Sequence, residues 1–401
     1  MNVKMSKAKT LLFIAAIFLS NVFVQGYFII IPIADALYEM FPGQTGLINF
    51  VISGDFLVIT IVSLFISGLF KYFSKKTIMV VSGIISSVSG ICMMAIENAL
   101  FMCAMKAIYA VGVAGIAVTG IAILAEVYAD DEKQYSTLMG LYNSSMALIG
   151  ASLSAIAGNL ASISIKTTFA GYWIFVPVTI LFILFLPSIK PRTAATENVS
   201  LEDNSDQEDK KGFGKNFWIT LIDFIIFNYC FSVMMYLNST YITENSLGDM
   251  AYIGYFGAVC TVASFITCLF FGKLFEVIGK KLIVFLYGIS AVMLLLFWLY
   301  PNPVLSIIAY FIMGGCYGLA FSFCYAYCPA IVPKKQIDQA IGLVTAGYSI
   351  AYFITTYIVT WTMQIMGTDL LTPTLIVPFI ACIIITVVEL IKNRDKVDRE
   401  V

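Results

Sequence analysis

The sequence predicts an all-α integral membrane protein with twelve transmembrane helices in two parallel repeats of six. Three observations carry that prediction. First, 60% of the 401 residues are hydrophobic and only 12% charged, with a mean hydropathy of +0.93. Soluble domains run near 45–50% apolar and about 25% charged, so this chain cannot cover a water-facing surface of its size. Second, all but two of its 23 Lys and Arg residues fall on segments that lie on one side of a twelve-span layout. Third, the two halves share local sequence at a nearly constant offset. Composition excludes a soluble enzyme and a disordered protein, and a net charge of −1 leaves no basic surface for nucleic acid.

The elements follow in order. Lys4, Lys7 and Lys9 precede an apolar run that continues through Gly26 to Pro32. No small-x-small cleavage site interrupts it, so it reads as a first helix, 10–38, rather than a signal peptide. Short polar breaks then delimit spans 46–70, 77–96, 100–127, 136–160 and 168–189. Each is long enough to cross a ~30 Å hydrocarbon core. The longest interruption, 190–215, is polar, mixed in charge and without periodicity, and reads as a flexible cytoplasmic linker. Six further spans follow at 216–243, 250–275, 282–300, 304–330, 339–366 and 372–391. The expected organisation is a six-helix bundle over 1–189, the linker, a second bundle over 216–391 and a tail at 392–401.

The N-terminal segment, the 71–76, 128–135, 190–215, 273–281 and 334–335 connections and the tail hold every Lys and Arg except Lys106 and Lys166. The positive-inside rule makes that side cytoplasmic, with both termini on it, in a bacterial-type plasma membrane.

The repeat is local but consistent. SGLFKYFSKK at 67–76 matches GKLFEVIGKK at 272–281, an offset of 205 residues. STLMGLYNSS at 136–145 matches DQAIGLVTAG at 338–347, an offset of 202. Six spans is an even unit, so both halves point the same way.

GKLFEVIGKK resembles the cytoplasmic signature of the major facilitator superfamily, G-x-L-x-D/E-x-x-G-R/K-R/K, at Gly272, Leu274, Glu276, Gly279, Lys280 and Lys281. In the first half Ser67, Leu69, Lys75 and Lys76 fit. Lys71 replaces the acid there and Ser74 the second glycine, so the first half departs from the family's gating contact. KAIYAVGVAG at 106–115 resembles the span-four pattern, with Lys106 in the arginine position and Gly112 retained. NVFVQGYFIIIPIAD at 21–35 resembles the first span. The antiporter pattern of span five, and sugar-porter and peptide-transporter signatures, are not found. The resemblance implies two bundles rocking about a central cavity, a charged cytoplasmic gate, and a cavity-lining place for position 106. It identifies no substrate.

Ionisable groups inside the hydrocarbon usually face a cavity or a partner. Asp55 lies ~15 Å deep in span two and Lys106 ~9 Å deep in span four from the same side. A pair is sterically feasible, either as a permanent structural bridge or as a site for an anion or a proton. Asp35 sits near the outer mouth of span one, as a hydrated acid or a coupling group. Asp223 lies ~12 Å from the cytoplasmic side and can carry a proton or hydrogen-bond a neighbour. Glu126 and Glu389 read as interfacial. Asn21 and Gln25 are one turn apart on span one. Asn228 and Tyr236 lie on span seven, Tyr348 and Tyr352 on one face of span eleven, and Tyr109 one turn from Lys106. Tyrosine suits either a small organic ligand or packing.

No cofactor or metal is expected. The chain has no histidine, no G-x-x-x-x-G-K-[ST] loop and no zinc spacing, and its nine cysteines read as small buried apolar residues. The expected function is a secondary active transporter, working as a monomer in the bilayer and moving a small organic solute with protons. Two substrate classes stay open, a carboxylate held by Lys106 and a lipophilic or cationic compound exported against Asp55, Asp35 or Asp223. The Met- and aromatic-rich spans tilt the balance to export. A non-transporting receptor and a membrane enzyme are the readings from other classes.

Overall fold

The computed structural model describes residues 7–30, 33–93, 95–128, 131–161, 163–187, 213–236, 241–242, 244–247, 250–368, 370 and 372–397. Most of the expected linker and the end of the tail lie outside them. Among the described residues the chain is helical, with no β-strand. Nine of these helices are long and apolar enough to cross a membrane, or ten if one bent pair is a single span. Two shorter apolar helices, Ala8–Val24 and Val259–Leu269, stand where spans one and eight were expected. The protein is a multi-pass membrane protein.

Grouped by packing, the chain forms two compact units. Unit 1 comprises Met1–Asp130, Ile149–Trp218 and Cys328–Ser349, and unit 2 comprises Asp131–Leu148, Ile219–Tyr327 and Ile350–Val401.

In unit 1 the first two spans are not continuous helices. Span one is built from α1 (Lys7–Leu19), the short α2 (Asn21–Val24), a 3-10 turn at Gly26–Ile29, and α3 (Ala34–Met40). Ser20 diverts the ladder by hydrogen bonding back to the Ile17 carbonyl at 2.6 Å. Beyond it the backbone closes three-residue turns, with Phe23 N–H donating to Ser20 O, Phe28 to Gln25 and Ile30 to Tyr27. Span two divides into α4 (Thr45–Ser53) and α5 (Asp55–Leu69), bent by 52° at Gly54. Irregular backbone at membrane depth persists only where protein or a cavity surrounds it. Here Asn21, Phe23, Gly26, Ile29 and Ile30 are all buried.

Two long helices support that region, α6 (Lys75–Cys92) and α7 (Ala99–Val127). Each begins on a side-chain cap. Ser74 accepts from Thr77 N–H and Asn98 from Phe101 N–H, both at 3.1 Å. The two helices pack together closely because α7 presents glycines. A Cβ on Gly112 would stand 2.2 Å from Ser86 Oγ, and one on Gly115 2.1 Å from Ser82 Oγ. Small residues of this kind let membrane helices approach backbone to backbone. α8 (Glu132–Ala161), the single turn α9 (Ile165–Thr168) and α10 (Phe175–Phe185) follow.

The second half supplies α11 (Lys215–Tyr236), α12 (Met250–Leu269), α13 (Phe271–Ile278), α14 (Leu282–Leu299), α15 (Pro303–Ala330), α16 (Ile337–Met366) and α17 (Ile376–Val397). Within unit 2, α14 and α17 pack against each other.

Candidate functional site

Unit 1 holds a buried ion pair. Lys106 Nζ lies 3.0 Å from Asp55 Oδ2, with the two side chains 0% and 3% exposed. The break at Gly54 makes Asp55 the first residue of α5, where its Oδ1 accepts from Phe56 N–H at 3.1 Å. A carboxylate there is also favoured by the positive end of the half-helix. The Lys106 ammonium sits 5.2 Å from the centre of the Tyr109 ring, a cation–π contact. Two charges taken out of water this completely cost several kcal/mol each before their attraction repays it.

Tyr109, one turn along α7, spends its hydroxyl elsewhere. It donates to the Phe23 carbonyl in the irregular stretch of span one at 2.7 Å. Gly26 makes room, since a Cβ there would lie 2.2 Å from the Tyr109 hydroxyl and 2.7 Å from Phe175. Tyr109 thus offers Lys106 its ring face and span one its hydroxyl. Tyr172 packs edge-on against Tyr109 with ring centres 5.6 Å apart, and its buried hydroxyl has no hydrogen-bond partner among the described residues.

The other expected residues divide between the two units. Asn21 opens α2 and is fully buried, and Gln25 follows its end. Tyr348 belongs to unit 1 and lies within electrostatic reach of Asp55 and Tyr27. Asp223, Asn228 and Tyr352 belong to unit 2. There Asn228 donates to Phe224 O at 2.8 Å, Tyr352 donates to the Tyr317 hydroxyl at 2.8 Å, and the Asp223 backbone carbonyl accepts from Tyr287. For Asp35 in α3 and Tyr236 in α11 only the backbone is described.

Sequence reasoning missed Tyr27 and Tyr172, both within electrostatic reach of Asp55. Tyr27 follows Gln25 by two residues, which a continuous helix would turn to a different face, and the 3-10 turn alters that geometry. Tyr172 sits near the start of span six, where a tyrosine reads as part of an interfacial belt.

The paired turns carry ion pairs in each unit. In unit 1, where Lys71 replaces the acid, the ion pairs are made by a different set. Lys75 Nζ contacts Asp338 Oδ1 at 2.7 Å, Glu126 Oε2 at 3.0 Å and the Ala122 carbonyl at 3.2 Å. Asp338 lies in the first turn of α16, and Gly342 one turn on approaches the Ser63 carbonyl so closely that a Cβ would sit 2.7 Å away. Lys71 is exposed and Lys76 partly so, and neither joins an ion pair among the described residues. In unit 2, Glu276 pairs with Lys133 at 2.8 Å on an exposed surface. Gly272 packs against Thr137, and Lys280 Nζ lies 5.1 Å from the Tyr327 ring centre. Lys281 is exposed. Gly279 has φ +56°, a conformation that excludes most side chains, whereas Ser74 has φ −66° and caps α6. The first-half turn therefore does without the glycine because its serine starts a helix.

The family model described as Major Facilitator Superfamily matches residues 11–356 and again 279–398. No curated protein matches the sequence. Among solved structures, the human organic anion transporter MFSD10 (TETRAN) is similar with a TM-score of 0.71 at 11% identity, over 92% of this chain and 99% of that one. A bacterial homologue of the iron transporter ferroportin, in an outward-facing state, is similar with a TM-score of 0.72 at 13% identity, over 96% and 98%. At such identities the likeness is one of fold.

Proposed function

The chain belongs to the Major Facilitator Superfamily, and from that premise we propose that it carries a small organic anion by alternating access, with protons as the coupling ion and Lys106 as the counter-charge. Family membership makes it a membrane solute transporter rather than an enzyme. The substrate class rests on one observation: a fully buried lysine and aspartate meet where span two is broken, beside the irregular stretch of span one. Discontinuous helices near mid-membrane are where transporters of several folds hold charged solutes.

The chemistry follows from charge balance. With Asp55 ionised, Lys106 is already neutralised and an incoming carboxylate gains little. A proton on Asp55 cancels its charge and leaves Lys106 to the solute, so proton and anion bind together and the site stays neutral overall. A lipophilic cation fits less well, because it would have to approach Asp55 against the Lys106 ammonium. The geometry therefore favours the carboxylate over the export of cations to which composition tilts. Asn21, Gln25, Tyr27 and Tyr348 would supply polar contacts to the rest of the solute.

The paired turns fit the gate. On the positive-inside orientation they are cytoplasmic, as are both termini, in a bacterial-type plasma membrane. Lys75 with Asp338 and Glu126, and Lys133 with Glu276, are ion pairs that hold while that side is closed and break when it opens. The transporter works as a monomer.

The test begins with the unfolding temperature of purified protein in the presence of small mono- and dicarboxylates and of lipophilic cations, since a ligand stabilises the state it binds. A stabilising carboxylate, loaded into proteoliposomes, should then show counterflow of its labelled form in wild type and none in Lys106→Ala. Stabilisation by lipophilic cations alone, or unchanged counterflow in Lys106→Ala, contradicts the reading.

A further inference from the structure

A second buried carboxylate stands apart from the Lys106 site, in unit 2. Three helix faces meet there: Thr220, Asp223, Phe224 and Phe227 of α11, Ile283, Leu286 and Tyr287 of α14, and Ala320, Phe323 and Cys324 of α15. On each helix the spacing is that of one face, at i, i+3 and i+4. The seam does not close completely. A cavity of about 20 Å³ remains among these residues, room for one water. Asp223 is 7% exposed and Thr220 5%. The Tyr287 hydroxyl reaches across from α14 to the backbone carbonyl of Asp223 itself. That bond fixes the Asp223 turn of α11 against α14.

We propose that this cavity is a proton-loading site. Asp223 takes a proton delivered through a water lodged beside it, and its protonation state governs how tightly α11 packs against α14 and α15. This rests on the reading of the protein as proton-coupled, but it involves a different carboxylate, in a different unit, from the one beside Lys106. The seam is apolar apart from Asp223, Thr220, Tyr287 and Cys324. A hard metal cation asks for about six oxygen ligands, far more than this lining presents, whereas a proton needs one carboxylate oxygen and a water to deliver it. The step is a simple transfer: an O–H bond forms on the carboxylate as a hydrated proton gives up its own, and nothing is oxidised or reduced. An ionised Asp223 holds water in the seam, while a neutral one packs among Phe224, Phe227 and Phe323 as a polar but uncharged group. Among the described residues that line the cavity, the other titratable groups are Tyr287 of α14 and Cys324 of α15. Cys230 of α11 and Cys382 of α17 lie within electrostatic reach of Tyr287. Asp223 is the carboxylate of this set.

The experiment is infrared difference spectroscopy on the reconstituted full chain as pH is changed, reading the C=O stretch of protonated carboxyl groups. A titrating band is expected in wild type, lost in Asp223→Asn, retained at a shifted frequency in Asp223→Glu, and intact in Asp55→Asn. Tyr287→Phe should shift its midpoint, and Ala320→Ile, which fills the cavity, should slow its exchange in D₂O. Persistence of the same band in Asp223→Asn would overturn the proposal. So would its loss on adding Na⁺ at fixed pH, which would assign the cavity to a metal cation. If Asp223→Asn does not fold, the Asp223→Glu shift decides alone: an unshifted band belongs to another group. None of these outcomes depends on whether a carboxylate solute binds at Lys106.

Discussion

Lys106 and Asp55 set the terms at the scale of single residues. Removing one partner of a fully buried pair leaves the other charge stranded in an apolar interior, a loss of about 3–5 kcal/mol, whereas replacing both with apolar residues of similar volume is often neutral. Thermal unfolding in detergent should therefore show Lys106→Ala strongly destabilised and the double variant Lys106→Met with Asp55→Leu close to wild type. Equal destabilisation by the two would mean that the pair is held for stability alone. The two tyrosines beside the pair make a sharper contrast. Tyr109→Phe strips the Phe23 carbonyl of its buried donor and should cost about 1–3 kcal/mol, while Tyr172→Phe removes a hydroxyl with no hydrogen-bond partner among the described residues and should cost nothing measurable. The pair itself was legible in the sequence, because two ionisable residues at similar depth in a hydrocarbon core have few other places to go. The division of labour in Tyr109 was not, because a tyrosine one turn from a lysine looks the same whether its hydroxyl faces a ligand or a neighbour's carbonyl.

Among elements, the broken spans and the two charged turns matter most. Hydropathy reads composition averaged over a window, so 10–38 and 46–70 passed as plain helices. The Ser20 back-bond, the run of three-residue turns and the bend at Gly54 leave no mark on such an average. The turns were half legible. Their repeat located them, and the substituted Lys71 and Ser74 were visible, but the partner that restores the contact, Asp338, lies 263 residues from Lys75. Asp338→Asn should destabilise by about 1.5–3 kcal/mol, as expected for a hydrogen bond to a charged group, while Glu276→Gln on the exposed pair should barely register in the same unfolding assay. That pair nevertheless has a pH signature. Its bond to Glu276 raises the Lys133 pKa above 10.5. Any stability it adds is thus fully present below that value and lost as pH climbs through the raised one. The difference between wild type and Lys133→Gln should vanish at the alkaline end. The glycine position gives an independent check on the two turns. Gly279→Ala forces a side chain into a backbone conformation, φ 56° and ψ −135°, that favours glycine, and should cost about 1–3 kcal/mol. Ser74→Gly, which restores the family residue, should cost only a few tenths as a capping loss. A large effect of Ser74→Gly would show that the first turn depends on more than its cap.

The whole molecule is where sequence reasoning reached furthest. Twelve apolar runs, one-sided basic connections and an even repeat unit specify a two-repeat membrane fold without any structure, because the bilayer penalises every alternative backbone arrangement. The substrate was out of reach at this scale. It depends on which side chains share a space, and span order does not report that. The central claim is that Lys106 holds a carboxylate solute in place of Asp55, and the double variant tests it without confounding stability with binding. The measurement is the rise in unfolding temperature produced by a small carboxylate that stabilises wild type, repeated at two pH values in Lys106→Met with Asp55→Leu. The account predicts a rise in wild type that grows as pH falls, and none at either pH in a double variant that folds normally. A rise of the same size in the double variant would contradict it.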